Sequence, residues 1–303
     1  TTEIYTLSLH DALPILLGVA MFSQRKFLSR LFLYLAVVVI LFVTLFPFYW
    51  IINMSLQNNI ELYHMPPYFL PPHPTLENFT NVLFEERGNM TFYEAVYNTL
   101  YVAVVTMVIC VVLGSITGYA LARLKFKMGI YLLFILIGTQ MVPPFTDLIP
   151  IYIIFSRYLK IVDTKLALII SYTGWLLPIS VWILYGYFQT IPGNLEDAAR
   201  IDGCGTFRIF FTIMAPLAKP AIATICVLGF IGYWNDFQGP LIYLSDYKLY
   251  PISMGIYMFK SAEFIFINYV MAASLITVVP VIAIFFMAQQ YFVKGIVMTG
   301  IKG

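Results

Sequence analysis

NLEDAARIDGCGTFRIFFTIMAP, residues 194–216, gathers Glu196, Asp197, Arg200 and Asp202 within nine residues of a chain that is 61% hydrophobic and only 11% charged. At the centre of a membrane span each such charge costs roughly 2.5–3.5 kcal/mol, so four together would cost about 10 kcal/mol or more. The stretch therefore reads as a polar turn outside the bilayer, and the fold follows from the long apolar runs on either side of it.

Those runs dominate the 303 residues. A mean hydropathy of +0.86 and 17% aromatic residues lie outside the soluble range, where roughly a quarter of residues are charged. The reading is an all-α polytopic membrane protein. Six helices are expected, at about 30–52, 96–121, 128–156, 165–189, 215–237 and 268–293, each near the ~20 residues that a crossing needs. The third is expected to break at QMVPPFTDLIP, because Pro143 and Pro144 lack backbone donors and cannot continue a regular helix. Gly114 and Gly118 form a small-xxx-small pair on the second helix, a pattern suited to close helix packing.

Placing Met21 inside puts Arg25, Lys26, Arg30, Arg123, Lys125, Lys127, Arg200, Arg208, Lys219, Lys294 and Lys302 on the inner side, and leaves Arg87, Arg157, Lys160, Lys165, Lys248 and Lys260 outside. Eleven against six is the asymmetry that cytoplasmic loops show. Both termini and the opening stretch are thus expected in the cytoplasm. Arg123 and Lys125 are expected to snorkel toward headgroups at the end of the second helix. Residues 1–20 carry neither a methionine start nor a basic signal-peptide region. They are expected to be a non-native or variable extension, with one domain spanning 21–303.

Several chemistries are excluded or unsupported. No Gly-Lys dipeptide occurs, so there is no Walker A loop for phosphates. HExxH and GxSxG are both missing, and three scattered histidines offer no triad. The cysteines Cys110, Cys204 and Cys226 are too few and too scattered for a disulfide framework or thiolate metal site. Without strong basic tails, nucleic acid is not indicated as a partner.

Locally, the opening stretch reads as a helical hairpin. Asn194 is expected to cap a short helix with Asp197 as its capping-box partner, and acids in the first turn suit the helix dipole. Gly203 stands where a left-handed C-cap is common, and Gly205 permits a second turn. Phe207, Phe210, Phe211 and Met214 then resume helical spacing. Ala198 and Ala199 keep the first helix thin. A thin, charged, rigid knob suits docking into a cleft of another protein.

The same residues resemble the EAA loop of permease subunits of ATP-binding-cassette importers: EAA, three residues, Gly, nine residues, then Ile-x-Leu-Pro. Asp197, Ala198 and Ala199 stand for EAA, Gly203 follows, and Ile213 and Pro216 close the motif. Asp197 replaces the usual Glu, and Ala215 the usual Leu. PTLENF (74–79), NTLYVAVV (98–105), YALARLKF (119–126), MVPPFTDLIPIYIIF (141–155), YWNDF (233–237) and the ending YFVKGIVMTGIKG (291–303) are similar to the carbohydrate, maltose-transporter branch. Within that branch the chain resembles the smaller six-helix permease.

The resemblance implies the type I importer fold and a multi-pass location in a bacterial inner membrane. It also implies a larger second permease, an ATPase dimer that binds ATP and Mg, an extracytoplasmic sugar-binding protein, and a carbohydrate substrate. This chain itself would hold no cofactor or metal. Glu196, Asp197, Ala198, Ala199, Asp202, Gly203, Ile213 and Pro216 would couple it to the ATPase. An importer permease for a non-sugar solute is the alternative; a secondary transporter is the alternative from another class, although no repeated halves are apparent.

For the substrate pathway the candidates are Gln140, Asp147, Tyr172, Trp175, Trp234, Asn235 and Asp236, since sugars stack their C–H faces on aromatic rings and need amides and carboxylates for their hydroxyls. Helix packing is the competing role for Tyr172 and Trp175. Capping of the fifth helix is the competing role for Trp234, Asn235 and Asp236.

Overall fold

The computed structural model describes the backbone of residues 9–87, 89–124, 128–259 and 265–300, and its regular elements there are helices. Residues 1–8, Lys125, Lys127, Lys260, Lys302 and the last three residues, all used in the sequence expectations, lie outside the described residues.

Four helices are individually long and apolar enough to cross a bilayer: Arg30–Ser55, Phe92–Arg123, Lys165–Thr190 and Ile267–Met287. They are the first, second, fourth and sixth spans. The third expected span is split as its prolines dictate. Gly129–Thr139 ends at a turn, Pro143 takes an extended conformation (φ −60°, ψ 133°), and Pro144 opens a new helix, Pro144–Ile153, that runs into a π-helical turn, Ile154–Leu159. An 11-residue helix is about 16 Å long, half the hydrocarbon thickness. The segment reaches across only with both halves taken together.

The fifth span departs from its expected start at 215. Thr206–Leu217 and Lys219–Asn235 meet at a 68° bend, so the span begins at Lys219 and residues 215–217 belong to the hairpin. Pro220, near the new N-terminus, lacks an N–H and suits the first turn of a helix. Among the described residues, length and composition alone admit four crossings, or five with this bent pair counted as one.

The second and fourth spans form the densest helix pair. A Cβ at Gly114 would stand 3.0 Å from the Ser180 Cβ, and one at Gly118 would stand 3.0 Å from both the Leu184 Cβ and the Tyr185 amide nitrogen. The two backbones approach because these positions carry no side chain, which is the close packing expected of the pair. The fifth span packs on the second, fourth and sixth. The first leans chiefly on the sixth, and none of its 18-residue apolar window is buried.

At the end of the bundle away from the hairpin, buried amides strap the loops. Asn78 donates to the carbonyls of Ser55 (2.7 Å) and Gln57 (2.9 Å) and accepts from Asn268 (2.9 Å). Asn98 donates to the carbonyls of Lys248 (2.8 Å) and Tyr250 (3.1 Å), while the Thr99 hydroxyl accepts from the Ile252 amide (2.8 Å). Arg87 lies 5.0–5.5 Å from the ring centres of Phe259, Phe266 and Tyr269, a cation–π clamp on the same end.

Candidate functional site

The functional candidates fall into two groups. The first is the polar hairpin. Its helix Asn194–Ile201 begins one residue earlier than expected: Gly193 is already in the αR region and its carbonyl accepts from the Glu196 (3.0 Å) and Asp197 (3.1 Å) amides. Asn194 is therefore inside the helix and makes no side-chain cap, which corrects the capping-box expectation. At the other end Gly203 has φ +81°. Its amide donates to the Arg200 carbonyl (3.0 Å), and the Cys204 amide to the Ala199 carbonyl (2.9 Å). This is a Schellman closure, in which the left-handed residue turns the chain back and satisfies the last carbonyls. Gly205, by contrast, sits at φ −74° and ψ 162°, open to any residue, so the elbow depends on Gly203 alone.

Glu196 does not face outward. It is 5% exposed. The Arg123 Nε lies 2.9 Å from its Oε1, without the alignment of a hydrogen bond, and Tyr119 donates to Oε2 at 3.3 Å. Arg200, one turn on, stands 3.8 Å from the same oxygen. The Arg123 guanidinium also donates to the Ile191 carbonyl. Arg123 thus does not snorkel: it ties the end of the second span to the root of the hairpin. Tyr119 and Arg123 belong to the YALARLKF stretch, whose part in the family resemblance was the only sequence signal at these positions.

With Glu196 and Ala199 turned inward, the outer surface carries Asp197, Ala198 and Asp202 together with apolar side chains. Ile201 is 87% exposed and Phe207 81%, with Phe211 also exposed. Phe210 and Met214 are buried with Ile209, so the aromatic series divides between a core face and a free face. A π-helical turn at Phe210–Met214 lies in this stretch. Ile213 is half-buried and Pro216 exposed.

The second group surrounds a cavity of about 560 Å³ at the break of the third span. Gln140, Asp147, Tyr172, Trp175 and Asp236 line it; Trp234 and Asn235 do not. Trp234 is buried against Phe230 and donates its indole N–H to the Thr277 carbonyl at 3.0 Å, joining the fifth and sixth spans. Asn235 donates to the Ile231 carbonyl of its own helix at 2.8 Å.

Asp236 is fully engaged as a fixed wall. Its Oδ2 accepts from the Tyr172 hydroxyl (2.7 Å) and the Gly239 amide (3.2 Å), and its Oδ1 from the Gln238 amide (3.2 Å). Tyr172 stacks on Tyr233 with centroids 4.5 Å apart. Gln140 donates to the Trp175 carbonyl at 3.2 Å, bridging the broken third span to the fourth. Trp175 lies with its ring against Gly232 of the fifth span, 3.3 Å from where a Cβ would stand.

Further polar lining residues escaped the sequence reading: Thr139, Ser171, Tyr233, Gln238 and Tyr243. Nothing in the short run GPLIY that carries Tyr243 marks it out. Its side chain is fully buried. Burial pushes this phenol above the usual tyrosine range, the neighbouring Ser171 opposes the shift, and Asp236 and Asp147 add to it. The phenol therefore stays protonated, as a donor, at neutral pH.

Known proteins share both the sequence and the shape. Residues 110–298 match a family described as binding-protein-dependent transport system inner membrane component. The chain is 32% identical over 290 residues to the inner membrane ABC transporter permease protein YcjP of Escherichia coli strain K12, covering 93% of this chain and all of the relative. It is 30% identical over 281 residues to the trehalose/maltose transport system permease protein MalG of Thermococcus litoralis, covering 92% of this chain and 99% of the relative. In shape it is similar to a chain of a bacterial ABC transporter involved in import of the acidic polysaccharide alginate. That likeness has a TM-score of 0.68 at 22% identity and covers 96% of this chain and all of that one.

Proposed function

Because this chain belongs to the family of binding-protein-dependent transport system inner membrane components, it is a transport component and not an enzyme, and we propose that it is one of two permeases in an ATP-driven carbohydrate importer. The second permease completes the pathway. A separate ATPase dimer binds ATP and Mg, and an extracytoplasmic binding protein delivers the sugar. The charge asymmetry supports an orientation with both termini and the hairpin in the cytoplasm. The carbohydrate class is supported by the trehalose/maltose relative and by a cavity that offers carboxylates, amides, phenols and an indole together.

The hairpin carries this reading. A loop meant only to be solvated would not bury a carboxylate against an arginine of another helix while exposing Ile201 and Phe207. The buried pair fixes the knob to the second span, so a push on the exposed tip moves that span and, through the glycine contact, the fourth. Coupling by this route needs a rigid link between tip and span, and the Glu196–Arg123 pair supplies one.

Copurification with the cognate ATPase tests the proposal. Ile201→Asp with Phe207→Asp should insert normally yet lose most of the bound ATPase, because the hot spots of such interfaces are buried apolar anchors. Retention of ATPase at the wild-type ratio would show that the tip is not the docking surface.

A further inference from the structure

We propose that the cavity at the break of the third span is a subsite for one uncharged sugar ring, so that this chain touches the transported molecule and favours neutral saccharides over acidic ones. The inference rests on the importer reading and deepens it.

Three features of the wall carry it. Asp147 lines the cavity, half-buried, and accepts no hydrogen bond among the described residues. Asp236 differs, for it is already held by Tyr172 and two backbone amides. The cavity thus offers one free carboxylate on a rigid frame.

The charge of the wall then selects the ligand. Two carboxylates and no Lys, Arg or His of this chain line the cavity, so a uronate would meet repulsion with no cation from this chain to answer it. Sugar hydroxyls, in contrast, donate well to a carboxylate. The Trp175 indole, half-exposed and backed by Gly232, offers a flat apolar surface for the C–H face of a ring. A volume of about 560 Å³ lies within the ~300–1,000 Å³ of ligand sites.

The test uses the whole assembly, this chain with its partner permease, ATPase and binding protein, in proteoliposomes. The probes are labelled maltose, trehalose and raffinose as neutral sugars, and digalacturonate as the acidic one. The wild type should import at least one neutral probe and exclude digalacturonate. Asp147→Asn, nearly isosteric, should lower uptake of that neutral probe three- to tenfold while ATPase copurification stays at the wild-type ratio. Asp147→Lys should move the neutral-to-acidic preference at least tenfold toward digalacturonate. Wild-type uptake and preference in both variants would overturn the subsite and leave the importer reading standing. A wild-type assembly that imports digalacturonate best would overturn the selectivity. One that imports no probe at all would overturn the subsite together with the carbohydrate reading beneath it.

Discussion

Removing the Glu196 carboxylate should free the hairpin from the bundle. In the Glu196→Ala chain, Arg123, whose side chain is 17% exposed, keeps its bond to the Ile191 carbonyl but loses its ion pair. Breaking one side of a buried pair costs about 3–5 kcal/mol, because the remaining charge stays desolvated. The retained bond argues for the lower end, about 3 kcal/mol. If that loss falls on local opening of the hairpin, it corresponds to roughly a hundredfold rise in the open population, at about 1.4 kcal/mol per decade. The Gly203 and Cys204 amides, which close the Schellman turn, are the reporters. Hydrogen exchange followed by mass spectrometry should show them exchanging roughly a hundredfold faster, with amides of the second and fourth spans unchanged. The apolar double variant Arg123→Met with Glu196→Met should recover most of that protection, since buried pairs are often replaceable by well-packed apolar residues. Equal exchange in the wild type and Glu196→Ala would refute the tether, and strict additivity of the two single variants would show that the residues do not act as a pair.

Further expectations follow from the same geometry. Gly203→Val should cost roughly 1–2 kcal/mol from the left-handed conformation alone, because no atom lies within 4 Å of a Cβ there. Membrane abundance should be normal, while ATP hydrolysis becomes independent of sugar. Asp197→Lys should preserve the fold but lower ATPase binding, since it reverses an exposed charge in the first turn of the hairpin helix; copurification at the wild-type ratio would argue against this. Gly118→Val should separate the second and fourth spans and destabilise by about 1–3 kcal/mol, read as a lower melting temperature in detergent. Asn98→Ala strands two carbonyls on the opposite loops and should cost about 2–4 kcal/mol in a denaturant titration.

What the sequence made legible was local or compositional. Apolar runs located the helices, Pro143 and Pro144 located the break in the third span, and Gly203 announced its conformation by its place after a short helix. The errors arose where neighbours several residues away decided the outcome. Asn194 was a good cap by type, but the chain had already turned helical at Gly193. The fifth span was expected to run straight from 215, whereas the 68° bend separates hairpin from span just before Pro220. Pairings between distant positions were beyond the pattern altogether. Arg123 and Glu196 lie 73 positions apart, and Tyr172 and Asp236 64 apart; in sequence each residue looked like an interfacial charge, a belt aromatic or a helix cap. Asn78, Asn98 and Arg123 stand in three of the stretches that carried the family resemblance, and in the structure all three hold backbone or side chains of remote segments.

The first span, which has no buried side chain in its apolar window and leans chiefly on the sixth, has a consequence for biosynthesis. Its main neighbour within the chain is made roughly 210 residues later, which at a synthesis rate of about 5–20 residues per second means a wait of roughly 10–40 s. During that interval the helix must persist as a solitary lipid-soluble rod. The charge-free run after Arg30 meets that demand. The second span, whose glycines await a mate roughly 65 residues downstream, reaches its partner roughly 7–30 s sooner by the same clock. The order in which the ribosome delivers the spans thus divides them into those that must tolerate lipid alone and those shaped for early company.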